Sequence, residues 1–249
     1  MDTEEKGTQE QLGRAVGGLA GGGADRGTLA QVAKLAVMSM KVAGARSLAT
    51  GKWLAETAVD VVPHIPVRDA LTLSAQHGHL TGDRLADEVV RSASHTTAGL
   101  GAVAGALAGA QELLPPTWMA IPAELLVETL AVVAVEMKLV AELQEVYGMP
   151  VEGTPAERSM AIVRAWAESR GVTARDLLRP GGVGALLGRG TRQELTRMLQ
   201  RRLILRAMRS MSALAPLMAG AVAGAELNRR ATRTLGEKVT RDLASRRVN

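Results

Sequence analysis

Four histidines, His64, His77, His79 and His95, fall within one 32-residue window, with Asp83 and Asp87 among them. These are the ligand types of a divalent-metal site. No two of the histidines stand four apart, the spacing that aims two ring nitrogens off one helical face, and His77-Gly-His79 falls at an expected helix end. Surface or capping roles are therefore expected of them. A second set lies further on: Glu124 and Glu128 are one helical turn apart, Lys138 and Glu142 share roughly that face, and Glu136 points elsewhere. Paired carboxylates on a bundle helix can hold two metal ions, but only with Glu-x-x-His partners on the facing helices, which are missing. An ordinary polar helix face is the expectation for this set.

Other chemistry is excluded more firmly. The chain has no cysteine, which removes thiolate catalysis, disulfides and cysteine-ligated zinc. Gly99-x-Gly101-x-x-Ala104 loosely matches a dinucleotide-binding pattern, but that pattern needs a strand before it, and the preceding segment reads as helix. Thr50-Gly51-Lys52 ends like a phosphate-binding loop, yet Arg46 stands where the first glycine belongs and Trp53 where Ser or Thr belongs. No Ser-His-Asp arrangement or nucleophile elbow is present. No catalytic residue, cofactor or metal site is expected.

The elements that would position these residues read as helices throughout. The chain has 249 residues, is 47% hydrophobic, and contains no Phe, one Tyr and three Trp. Its core must therefore be filled by Leu, Val, Ala and Met, in thin helices that approach closely. No stretch alternates in the manner of a half-buried strand. An all-α, multi-helix bundle built around a Gly/Ala-rich helical hairpin is expected.

Residues 1–27, dense in glycine from Gly13 to Gly27, are expected to be a flexible tail, and 28–249 a single helical domain. Thr28 to Gln31 reads as a capping box opening a helix to Ala49, followed by a helix from Lys52 to Val62. Pro66 suits the first turn of a helix ending near Gly78. A further helix is expected from Thr81–Asp83 to His95. A long one should run from Pro122 to Tyr147, closed by Gly148 as a left-handed cap. Thr154-Pro-Ala-Glu157 opens another, ending near Gly171. Residues 181–190 read as a flexible connection, Thr191 to Glu194 as the box of a basic helix to Met211, and Pro216 as the start of the last helix.

Between His95 and Ala110 lies a glycine zipper. Gly101, Gly105 and Gly109 recur every four residues, so they line one helical face that a second helix can approach closely. The hexapeptide from Gly101 to Ala106 recurs from Gly220 to Ala225, which suggests that these two helices pack on each other or occupy equivalent places.

Membrane crossing is not expected. The apolar run 98–110 spans about 20 Å at helical rise, short of the roughly 30 Å hydrocarbon layer, and the run 118–135 carries Glu124 and Glu128. The hairpin 98–135, bent at Pro115 and Pro116, is either buried core or an element that dips partway into a bilayer. Charge is unevenly spread: residues 192–249 hold 13 Lys/Arg against 4 Asp/Glu, while the rest hold 17 against 21. Arg202, Arg206, Arg209, Arg229, Arg230 and Arg233 are the candidates for contact with an anionic surface. Nucleic acid is not expected as a partner, because no aromatic side chains are interleaved for base stacking. The acidic start, Met1-Asp-Thr-Glu-Glu, lacks the positive region of a signal peptide, so a cytoplasmic location is expected.

Gly99-Leu-Gly101, Leu114-Pro115, Ile121-Pro122-Ala-Glu124-Leu and Val146-Tyr147-Gly148 together resemble the EcsC protein family, and Pro216 with Gly220, Gly224 and Asn228 is similar to that family's closing helix. The likeness covers about residues 90–245. It departs from the fuller pattern where Ala104–Ala108 stands for a second glycine pair, as in a divergent member. The family is named for a bacterial protein encoded beside an ABC transporter. It implies membrane association and an accessory role in a transport or envelope process, and it carries over no catalytic residues. Two functions are therefore carried forward. The first is a non-enzymatic protein on the cytoplasmic side, touching an anionic membrane surface or a membrane-protein partner. The second is a soluble bundle that binds a partner protein or an apolar ligand between its glycine-lined helices.

Overall fold

The structure, a computed structural model, describes residues 3–21, 26–49, 52–110, 123–170 and 217–248. In chain order the helices are α1 (Thr3–Ala20), α2 (Arg26–Ala49), α3 (Lys52–Val61), a 3-10 turn (Val62–His64), α4 (Ala70–Gln76), α5 (Gly82–Ala110), α6 (Ala123–Val146), α7 (Pro155–Ser169) and α8 (Leu217–Val248). The described residues contain no strand, so the protein is an all-α bundle.

Several boundaries follow from local chemistry. Thr154 accepts from the backbone N–H of Glu157, whose carboxylate accepts from the Thr154 N–H, and Pro155 fills the first helical position of α7. At the end of α6, Gly148 adopts φ +71°. The N–H of Met149 then reaches Gln144 O at 2.8 Å and that of Gly148 reaches Glu145 O at 3.0 Å, closing two carbonyls the helix leaves open. Elsewhere the starts differ from expectation. Asp69, not Pro66, opens α4, its carboxylate accepting from Thr72 N at 2.7 Å. Helix α2 already includes Arg26, so Thr28 lies inside it rather than at its cap. Helix α5 runs without a break through His95 into the zipper.

The expected N-terminal tail is a correction. Residues 3–20 form α1, and Leu12, Val16 and Leu19, at helical spacing, are buried. Glycine in a helix costs about 1 kcal/mol, whereas each buried Leu or Val contributes roughly 1.5–3 kcal/mol. The apolar stripe therefore outweighs the glycines. Packing also requires one of those glycines, since a Cβ on Gly17 would lie 2.5 Å from His64 O, and one on Gly13 would sit tightly at 3.1 Å from Asp60 O. Gln9 of α1 adds polar ties, donating to Asp60 at 3.2 Å and accepting from Ser39 at 3.4 Å, while Trp53 Nε1 donates to Ser39 at 2.9 Å.

Helix α6 is the axis of the bundle, with α1, α2, α3, α4, α5, α7 and α8 all packed against it. Every residue from Val127 to Leu143 is buried. Helix α8 lies along α5 in antiparallel register. A Cβ on Gly236 would meet Val90 Cγ2 at 2.6 Å, Thr97 meets Thr232, and a Cβ on Gly101 would lie 2.7 Å from Gly224 O. The two copies of the repeated hexapeptide thus face one another at Gly101 and Gly224. Gly105 and Gly109 lie on α5 and Gly220 on α8, but their contacts fall outside the described residues.

Candidate functional site: charges inside α6 and outside α8

The carboxylates of α6 do not form a polar face, which corrects the expectation for them. Glu128, Glu136, Lys138 and Glu142 are all buried among aliphatic side chains. Ions survive such surroundings only when each is paired and hydrogen-bonded, and the partners come from the segment before α4, from α7 and its C-cap, and from α8. The side chain of Glu124 falls outside the described residues.

Glu136, with no exposed surface, lies where α7 and α8 meet α6. Trp166 Nε1 donates to it at 3.0 Å and Arg170 Nε at 3.1 Å, and a second Arg170 nitrogen donates to its other oxygen. Thr232 Oγ1 of α8 donates at 3.1 Å and accepts in turn from Thr97 Oγ1 of α5 at 3.0 Å. Glu128 accepts from Asn228 Nδ2 at 2.6 Å. The same Asn228 Nδ2 would stand 2.6 Å from a Cβ on Gly101. The close glycine crossing and the buried carboxylates therefore belong to one arrangement, in which small residues bring α8 near enough for its Asn and Thr to reach α6.

Glu142 closes the other end. Arg68 grips it bidentately, Nε at 2.7 Å and the terminal nitrogen at 2.9 Å, and Lys138 donates to it from one turn earlier on α6. Burial holds the Lys138 ammonium below its usual pKa against the opposing pull of Glu142, and the hydrogen bond to Glu142 raises that of Arg68. Close by, the buried Nε2 of His77 has no hydrogen-bond partner. Its pKa is lowered, first by burial and then by the charge of Arg68. Tyr147 donates to Asp83 at 2.8 Å, and burial followed by that bond pushes its phenol up to about 12.

A carboxylate already holding a guanidinium fork and further donors has little capacity left to take a proton from a substrate or to bind a metal. Among the described residues no group of His, Asp and Glu is placed to hold a metal ion. His64, His77, His79 and His95 are spread over the 3-10 turn, the two residues around Gly78 and the middle of α5. His79 has φ 61° in the turn after α4, and His95 is exposed.

Of the two readings of the 98–135 hairpin, the second arm follows the buried-core one. Residues 127–135 are enclosed by protein, and no helix among the described residues is long and apolar enough to cross a membrane. The glycine-lined face at Gly101 is filled by α8, which leaves no room there for an apolar ligand.

The charged outer face lies on α8, whose seven Lys/Arg outnumber three Asp/Glu. Arg229 forks onto Glu226 at 2.8 and 2.9 Å, Arg230 binds the same carboxylate, and Arg233 reaches Glu237 at 2.9 Å. The hydrogen bonds from Arg229 and Arg230 hold the Glu226 carboxyl down at about 2. Arg202, Arg206 and Arg209 lie outside the described residues.

The buried pairing was missed for an identifiable reason. Helical spacing separates Glu136 from the other carboxylates, and nothing local says that α7 will deliver Trp166 and Arg170, one turn apart, onto it. The available signal was the helix itself: four charges within a segment whose other residues are almost all aliphatic must either face water or find partners. No protein-family model, curated protein or solved structure matches this chain.

Proposed function

We propose that this protein is a non-enzymatic helical module that rests against an anionic membrane surface on the cytoplasmic side. In this reading it is a divergent EcsC-type chain serving a transport or envelope process. The observation that carries the reading is the division of charge. The inner carboxylates are committed to Arg68, Lys138, Asn228, Thr232 and Arg170, which leaves the outward cations of α8, in excess over its acids, as the chemistry presented to a partner. The intrahelical glutamates that pair with Arg229, Arg230 and Arg233 are exposed enough to yield to phosphate competition.

The test is flotation with vesicles of phosphatidylglycerol and of phosphatidylcholine. Binding to the anionic vesicles alone, weakened as salt rises from 0.05 to about 0.5 M, is the expected result. Absence of binding to either lipid refutes the reading.

A further inference from the structure

Helix α2 carries a second outward face of a different character from α8. Its 24 residues include Arg26, Lys34, Lys41 and Arg46 and no acidic residue. Val32, Ala36, Ser39 and Met40 are buried toward α1, α3 and α6. On the opposite side Gln31, Lys34, Met38, Lys41 and Val42 are exposed and, at about 100° per residue, share one face. Met38 is 47% exposed and Val42 56%, and the two are one turn apart with a lysine on either side of Met38.

On a helix bound in the bundle, water-facing positions have no packing reason to be apolar. An apolar pair bordered along one edge by two lysines, with no carboxylate on the helix to offset them, suits the boundary between lipid headgroups and acyl chains. There methyl and thioether groups sink a few ångströms while ammonium groups stay among phosphates. Arg229, Arg230 and Arg233 of α8 lack this combination, because each is braced by a glutamate on its own helix.

We propose that the Lys34, Met38, Lys41, Val42 face of α2 is a second contact with anionic lipid, the one whose apolar side chains enter the headgroup layer, beside the purely electrostatic attraction of the α8 arginines. The proposal rests on the membrane reading above and names the part of the molecule that enters the headgroup layer. The occupant it commits to is a lipid surface, chosen on charge: the only charged groups on the face are the two lysines along one edge, and it offers no carboxylate to an arginine-rich protein partner.

The test uses the full chain and two probes. Because the protein has no cysteine, Met38→Cys provides a unique attachment point for a polarity-sensitive dye. Its emission should shift to the blue on adding phosphatidylglycerol vesicles and remain unchanged with phosphatidylcholine. In parallel, the doubly substituted Lys34→Glu, Lys41→Glu protein should bind phosphatidylglycerol vesicles more than about twentyfold more weakly, since each lysine near an anionic surface is worth about fivefold. Both side chains are exposed, and an unchanged helical signal and melting midpoint establish that this variant is folded. If the wild type floats with the vesicles while the dye does not shift, or the reversed variant binds as well as wild type, the α2 assignment is overturned and the membrane reading stands. If the wild type binds no vesicle at all, both fall, and the face is left for a protein partner.

Discussion

Glu136 and Glu226 are both glutamates held by arginine, and they sit at opposite extremes of the same protein. Glu136 has no exposed side-chain surface and its partner Arg170 only 22%. Glu226 is 35% exposed, and its partners Arg229 and Arg230 are 38% and 77% exposed. Two charges about 4 Å apart attract by about 1 kcal/mol in water and about 4 kcal/mol at the effective dielectric of a protein. Glu136 has already lost its water, so it has no solvent to exchange its partners for. The outer pair can exchange its partner for solvent, salt or phosphate at little cost. The same chemistry therefore acts as a tie inside the bundle and as an adjustable contact outside it.

The sharpest way to break this contrast is to remove the inner carboxylate. Glu136→Ala leaves Arg170 and Trp166 without their acceptor and should lower unfolding free energy by about 3–5 kcal/mol, read from urea unfolding. Next comes the crossing that brings the helices together. Gly101→Val places atoms where Asn228 Nδ2 and Gly224 O already stand, and should cost about 1–3 kcal/mol by overpacking. Gly99→Ala, two residues away with nothing within 4 Å of its Cβ, should be neutral or slightly stabilising.

A smaller effect is expected from pH. Because the fold lowers the His77 pKa below its ordinary value of 6.5, neutral His77 is favoured by the fold. The stability this contributes is present above pH 6.5 and is lost as pH falls through the lower, folded value. Melting midpoints should therefore drop between pH 7.5 and 5.5, and His77→Leu should drop less over the same interval. The smallest change belongs to the outer face. Glu226→Gln should leave the melting midpoint at pH 7 unchanged, while freeing Arg229 and Arg230 and strengthening flotation with anionic vesicles.

Features set by a few neighbouring residues could be read before any coordinates. The Thr154 capping box, the Gly148 cap, the proline-opened α7 and the helical character of the chain all depend on contacts within one or two turns. The repeated hexapeptide pointed to a pairing between α5 and α8 across more than a hundred residues, because backbone approach leaves a compositional trace. The glycine-dense start was misread for the converse reason. Local entropy argued for a tail, while the decisive facts, the pocket for Leu12, Val16 and Leu19 and the approach of Gly17 to His64, are supplied by distant segments. The inner carboxylates were the least legible. Their partners Arg68, Trp166, Arg170, Asn228 and Thr232 come from three other parts of the chain, and no spacing within α6 names them.

The claim on which the inner half of the account depends is that Glu136 and Arg170 act as one unit. A double-mutant cycle by urea unfolding, with Glu136→Gln, Arg170→Met and the two combined, measures this directly. The combined variant is expected to be less destabilised than the sum of the singles by about 1–3 kcal/mol. Additive losses, within about 0.5 kcal/mol, would contradict it.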